Sequence, residues 1–319
     1  MLLSIAFILL GFVLLIFGAN WLVDGSSALA RKRGVSDLVI GLTIVSFGTS
    51  APELVVNLIA SLDGHSDIVY GNVVGSNNFN LFFILGIAGL IYPITVQRST
   101  VWQEIPMSLA AAAVLLSLSN NFFLGGALSL SRLDGFVLLL LFAAFLWYVF
   151  RQMRAEAPPV ETVAGDQPTT LKITFLILFG LAGLVFGGKL VVDHAISIAT
   201  NLGVSEKIIG LTIIAAGTSL PELVTSAVAA LKKNSDIAIG NVVGSNIFNV
   251  LFIIAVSATV NPIGYNASFN REIYLLIGGT LVLFVAMFSG GHRRLDRWEA
   301  GLLLLVYIAY TGWQIAQEV

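Results

Sequence analysis

Apolar runs of roughly 17–25 residues alternate with short polar breaks along nearly the whole chain, and about 20 helical residues are enough to cross the hydrocarbon core of a bilayer. The runs fall near residues 3–25, 38–61, 70–92, 104–124, 134–150, 173–199, 207–231, 237–260, 271–289 and 298–316. This pattern predicts an all-α polytopic membrane protein with ten transmembrane helices. The first run lacks a basic leader and a small-residue cleavage pattern, so it reads as a retained span rather than a signal peptide. One break is long. From about Arg151 to Thr170 the chain carries APPVETVAGDQP, a Pro-, Gly- and acid-containing stretch that reads as irregular. It divides the sequence into a first five-span unit (1–150), a linker (151–171) and a second five-span unit (172–319).

The two units repeat each other. A shift of 169 residues aligns Gly18–Ile94 with Gly187–Ile263 without a gap. Between Gly34 and Val55, 15 of 22 residues equal those from Gly203 to Val224, and between Ser66 and Asn80, 12 of 15 equal those from Ser235 to Asn249. A weaker echo pairs Arg132-Leu133-Asp134 with Arg294-Leu295-Asp296. Since each unit has an odd number of spans, the second enters the membrane inverted. Inverted repeats are an architecture of secondary transporters, whose sites lie near the midplane where the repeats meet.

Composition sharpens this reading. Only 11% of residues are charged, against about 25% in soluble domains, and the mean hydropathy is +0.94. Cysteine is absent, which removes disulfides and thiolate metal sites. With ten spans, twelve basic residues (among them Arg31, Lys32, Arg33, Lys232 and Lys233) fall on one face and only Arg132, Lys207 and Arg271 on the other. The rule that cytoplasmic loops collect Lys and Arg then places both termini outside the cytoplasm.

The polar residues inside the apolar runs carry the chemistry. GTSAPELVVN (Gly48–Asn57) and GTSLPELVTS (Gly217–Ser226) each set a Glu deep in a span. An intramembrane carboxylate costs about a few kcal/mol or more, so Glu53 and Glu222 read as functional. Pro52 and Pro221 remove a helical N–H each and free the carbonyls of Gly48 and Gly217, leaving oxygens that must be satisfied by protein, water or an ion. GNVVGSNNFN (Gly71–Asn80) and GNVVGSNIFN (Gly240–Asn249) add polar stripes. Ser76 and Asn80 share a helix face, as do Ser245 and Asn249. Together the stretches predict a cavity walled by four helices and lined with oxygen alone, which suits hard cations such as Ca²⁺ and Na⁺.

Other polar residues have plainer readings. Gly71 and Gly75 read as close-packing positions. Asn72, Asn77, Asn241 and Asn246 read as hydrogen-bonding between helices. Asp24 and Asp193 fall near predicted span ends and read as caps or interface groups, and Lys189 is set aside as a partner for a glutamate because it has no counterpart at Asn20 and falls toward the outer end of its span. His65, His194 and His292 show no metal-ligand spacing.

The paired GTS-x-PE and GN-x-x-GSN motifs resemble the alpha repeats of the cation/Ca²⁺ exchanger superfamily, in particular its prokaryotic sodium/calcium exchanger branch, and the resemblance covers essentially the whole chain. It implies a Ca²⁺ site flanked by Na⁺ sites and visited alternately from each side of a prokaryotic plasma membrane. Carried over, it implies as ligands Thr49, Ser50, Glu53, Ser76 and Asn80 from the first unit. From the second it implies Thr218, Ser219, Glu222, Ser245 and Asn249, with backbone carbonyls near Ser46 and Ala215. One departure matters: members of the family carry Asp at the position of Asn80 or, more often, Asn249, whereas here both are Asn. The formal charge of the site is then −2, which one Ca²⁺, two Na⁺ or two protons neutralise.

The reading that results is a Ca²⁺/Na⁺ antiporter, with a Ca²⁺/H⁺ exchanger on the same two glutamates as the alternative. The expected partners are membrane lipid and the transported Ca²⁺ and Na⁺ (or H⁺). Neither nucleic acid nor a prosthetic group enters it. An intramembrane hydrolase built on Ser50 finds no nearby His and no GxSxG elbow. A channel filter draws carboxylates from several subunits, whereas the internal duplication points to one enclosed site.

Overall fold

The computed structural model describes residues 2–122, 127–155, 168–202, 215–289 and 293–318. In chain order its helices are α1 (Leu2–Arg33), α2 (Asp37–Thr49), α3 (Ala51–Leu62), α4 (Ser66–Ile91), α5 (Thr100–Ser119), α6 (Arg132–Met153), α7 (Thr170–Asn201), α8 (Leu220–Leu231), α9 (Ser235–Val260), α10 (Ala267–Ala286) and α11 (Arg297–Gln317). Eight of them are long and apolar enough to cross a membrane. The bent pair α2–α3 makes a ninth candidate, with a 47° angle at Ser50. The short α8 follows the turn Ala215–Gly217, and residues 203–214, which carry the start of the predicted seventh run, lie outside the described residues.

The two breaks have the same local cause. Ser50 and Ser219 leave the helical region with nearly equal dihedrals (φ −82°, ψ 8° and φ −89°, ψ 10°), and each is followed by a helix whose first turn contains a proline. Proline is tolerated there because its missing N–H falls among the helix-start groups that have no intrahelical partner. The motif serines therefore sit at breaks, with their side chains free to leave the helix they belong to.

α9 and α4 form the centre: 94% and 72% of their apolar stretches are buried, against 17–39% for the other long helices. Both relax into π-helical turns at matching places, Phe79–Ile84 and Asn249–Ile253, so Asn80 and Asn249 stand where the backbone is locally underwound and widened. Such turns recur at functional sites. Two small antiparallel ladders cross-link the units. β1 (Ile94–Thr95) pairs with β4 (Arg294–Leu295), and β2 (Ser129–Leu130) pairs with β3 (Ile263–Gly264).

α1 and α7 run against each other along their length, on a seam of glycines. A Cβ on Gly18 would come within 2.8 Å of the Gly180 carbonyl, and one on Gly11 within 2.8 Å of the Gly187 carbonyl. Backbones can meet this closely only where both helices lack side chains.

Several expectations need correction. Gly71 and Gly75 are not packing positions: a Cβ on Gly75 would meet nothing within 4 Å, and one on Gly71 only the Phe269 ring at 3.9 Å. Their counterparts Gly240 and Gly244 do pack, with Leu38 O at 3.0 Å and Ser46 Oγ at 2.7 Å from the added carbon. Asp24 and Asp193 are not caps, because α1 and α7 run on for a further two turns. They pair instead with Lys232 (2.7 Å) and Lys189 (3.0 Å), so Lys189 is committed to its own helix rather than to a glutamate. The Arg-Leu-Asp echo is out of register by one turn: Arg132 opens α6, whereas Arg294 lies in β4 and Arg297 opens α11.

Candidate cation site

The breaks at Ser50 and Ser219 aim the two GTS-x-PE motifs at each other. Glu53, in the first turn of α3, and Glu222, in the first turn of α8, are each 1% exposed. Each is held by the serine of the opposite unit. Ser50 Oγ lies 2.8 Å from Glu222 Oε1, and Ser219 Oγ lies 2.9 Å from Glu53 Oε1. The serines of the second motif join in the same crossed manner, Ser245 Oγ at 3.0 Å from Ser50 Oγ and Ser76 Oγ at 3.1 Å from Ser219 Oγ. Four hydroxyls and two carboxylates thus form two matching triads, Ser50–Glu222–Ser245 and Ser76–Ser219–Glu53, each drawn from both units.

A second layer fixes the backbone around it. Asn72 donates to the Glu53 carbonyl (3.3 Å) and to Asn57 Oδ1 (2.7 Å), while Asn241 donates to the Glu222 carbonyl (3.3 Å) and to Ser226 Oγ (2.9 Å). The threonines cross over as well: Thr49 donates to Asn241 Oδ1 at 3.0 Å and Thr218 to Asn72 Oδ1 at 3.4 Å.

Below the carboxylates four asparagines close the centre. Asn80 donates to Asn246 Oδ1 (3.1 Å) and Asn249 to Asn77 Oδ1 (2.9 Å). Asn77 and Asn246 exchange donations to each other's main-chain carbonyls, at 3.2 and 3.3 Å. With both amide groups of Asn80 and Asn249 used as donors, their carbonyl oxygens are left over.

The acceptor surplus is the chemical signature of the site. Glu53 Oε2, Glu222 Oε2, Asn80 Oδ1 and Asn249 Oδ1 are all buried, and none has a hydrogen-bond partner among the described residues. A buried acceptor without a donor is costly unless something electropositive meets it. Two such oxygens carry carboxylate charge and two are amide carbonyls, a donor set suited to a hard cation. Among the described residues no group of three or more His, Cys, Asp or Glu side chains gathers anywhere, so no third carboxylate joins this cluster.

Of the residues singled out in the sequence, Ser50, Glu53, Ser76, Asn80, Ser219, Glu222, Ser245 and Asn249 come together here, with Thr49 and Thr218 at its two flanks. The Ser46 carbonyl accepts from Ser50 N at 3.0 Å and from Thr49 Oγ1 at 3.3 Å. Ala215 lies at the edge of the described residues. The flanks are unequal. Thr49 is fully buried, whereas Thr218 borders a cavity of about 430 Å³ between α3, α7 and the start of α8. That opening was not foreseeable from the motifs, which are alike in both units.

A family model described as sodium/calcium exchanger protein matches residues 3–151 and 172–316. The chain is 37% identical over 318 residues to the putative antiporter CaxA of Alkalimonas amylolytica, covering 97% of this chain and 98% of that protein. It is 30% identical over 340 residues to the sodium/calcium exchanger MaX1 of Methanosarcina acetivorans, covering 95% and 96% of the two chains. Its fold superposes on the sodium-calcium exchanger NCX_Mj, determined after a soak with zero Na⁺ and Ca²⁺, with a TM-score of 0.82 and 31% identity over 97% of each chain. The match spans both units and every motif described above, and the chain is an integral membrane protein of the sodium/calcium exchanger family.

Proposed function

We propose that this protein is an antiporter that moves Ca²⁺ against Na⁺ by alternating access, and that its transport site is the cluster between Glu53 and Glu222. The observation that carries the reading is the set of four buried, partnerless oxygens on Glu53, Glu222, Asn80 and Asn249. Ca²⁺ takes the two carboxylates directly. The hydroxyls of Thr49, Ser50, Ser76, Thr218, Ser219 and Ser245 supply oxygens for Na⁺ once Ca²⁺ has left. Both ions draw on the same groups, so one set excludes the other, and exclusion is what coupled exchange requires.

The ten-span, two-repeat architecture belongs to the same proposal. The crossed hydrogen bonds support it, since within the candidate site each bond from the first unit to the second has a mate running back. The unequal exposure of Thr49 and Thr218 suits a site that opens on one side at a time. The excess of Lys and Arg on one face supports placing both termini outside the cytoplasm.

The charge of the cluster limits the coupling. Two carboxylates balance one Ca²⁺ or two monovalent ions, and a third Na⁺ would add an uncompensated charge in a low-dielectric site. Exchange on this account is electroneutral.

Purified protein in sealed liposomes loaded with Na⁺ and diluted into Na⁺-free medium tests the reading. Ca²⁺ uptake driven by the Na⁺ gradient alone is the expected result. Uptake driven only by a pH gradient would assign the coupling to protons on the same two glutamates, and uptake under neither gradient would refute the exchange reading.

A further inference from the structure

The stretches Gly71–Asn80 and Gly240–Asn249 differ at one position, Asn78 against Ile247. That position marks a place where the two units diverge in structure. Ile247 is fully buried in the core, and Gly240 and Gly244 are pressed against α2. On α4 the equivalent residues Gly71, Gly75 and Asn78 instead face a cavity of about 530 Å³ bounded by α10 and α11.

The polar lining of this cavity leaves two acceptors over. Asn78 is 4% exposed; its Nδ2 donates to the Glu272 main-chain carbonyl at 3.0 Å, and its Oδ1 is buried without a partner. Glu272 Oε1 accepts from Tyr310 Oη and Gln314 Nε2, both at 3.0 Å, while Oε2 is buried without a partner. Asp67 adds a second carboxylate to the lining, and among the described residues no basic one belongs to it. Arg271, the neighbour of Glu272, stacks over Trp313 at 5.2 Å. The rings of Phe269, Tyr307 and Tyr310 form the remaining wall.

We propose that this cavity, which borders the transport site through Asn72, is a binding site for an organic ammonium with an apolar or aromatic body. The ammonium supplies the donors that Asn78 Oδ1 and Glu272 Oε2 lack, and its charge meets Glu272 and Asp67. Its body lies against the aromatic wall, where ring faces also attract a cation. A bare divalent ion fits poorly, because Ca²⁺ takes six to eight oxygens and one wall is aromatic. A phospholipid headgroup fits poorly too, since its phosphate would find no cation in the lining. The glycines set the volume: with no Cβ at Gly71 and Gly75, the surface of α4 recedes by two side chains.

Isothermal titration of the purified, detergent-solubilised protein with 4-phenylbutylammonium, and with 4-phenylbutanol as the uncharged counterpart, tests the site. The ammonium should bind saturably, and the alcohol about tenfold or more weakly, as expected for loss of a charge-assisted bond. Gly75→Leu, which fills the cavity, and Glu272→Gln, which removes its charge, should each lower ammonium affinity by a similar factor. Glu53→Gln should leave it unchanged. Each variant is first checked for a single symmetric species and a wild-type melting profile. Gly75→Leu acts by volume and Glu272→Gln by charge, so either one that folds suffices. Equal binding of amine and alcohol, full binding by a folded variant, or loss of binding in Glu53→Gln would overturn the proposal.

Discussion

Ser50 lies 2.8 Å from a carboxylate oxygen of Glu222, a residue 172 positions away on the other unit. Its mirror image, Ser219 to Glu53, is 2.9 Å long. Each unit thus supplies the carboxylate that the other unit orients, and neither unit builds a site alone. The serines occupy Oε1, and both Oε2 atoms are left buried without a partner among the described residues.

Replacing either serine by alanine should therefore weaken Ca²⁺ binding to a similar extent. A hydrogen bond to a charged group is worth about 1.5–3 kcal/mol, so the expected loss is about tenfold or more for Ser50→Ala and for Ser219→Ala. Isotope-exchange titrations on the two variants check this, and a large effect in one with none in the other would contradict the crossed arrangement.

Asn249→Asp should change the coupling rather than abolish it. A third carboxylate raises the formal charge of the cluster to −3 and makes room for one more monovalent ion per Ca²⁺. Exchange by the wild type should be insensitive to an imposed membrane potential, and exchange by the variant should depend on it. Potential-clamped liposomes give the comparison, and a potential-sensitive wild type would refute the two-charge account.

The asparagine quartet predicts a stability effect of its own. Asn77→Leu removes the acceptor of Asn249 and the donor to the Asn246 carbonyl. Each buried group left unpaired costs about 1–3 kcal/mol. The melting midpoint of Asn77→Leu should fall well below that of wild type in the same detergent, measured without ions so that ligand stabilisation does not enter.

Two glycine substitutions should behave in opposite ways. Gly18→Val drives a side chain into backbone already 2.8 Å from the Cβ position, so α1 and α7 must separate and the protein should lose stability. Gly75→Ala meets nothing within 4 Å and gains helix propensity, so its melting midpoint should stay at or slightly above wild type. Thermal unfolding of both variants in one buffer makes the test.

That contrast shows where the sequence is legible and where it is not. Glu53, Glu222, Ser76 and Asn80 stand out because polar groups in an apolar run need a reason, and the repetition names their partners. A glycine gives no such signal. Gly71 and Gly240 occupy the same place in the same motif, yet one faces a cavity and the other a helix, because the neighbour that decides this comes from a distant part of the chain. Asp24 misled for a related reason. Apolar runs mark the hydrocarbon length, and α1 and α7 continue past it as 32-residue helices that carry their own ion pairs. The crossing of Ser50 to Glu222 is also invisible in sequence: repetition points to one enclosed site, but which serine holds which carboxylate follows only from the bend at each serine.

Equilibrium Ca²⁺ binding to the purified protein, in wild type and in Glu53→Gln and Glu222→Gln, tests the shared site most directly. The expected result is one Ca²⁺ per chain, displaced by Na⁺ and lost in both single variants. Retention of full Ca²⁺ binding in either variant would contradict the account, since a site that survives the loss of one glutamate is not built from both.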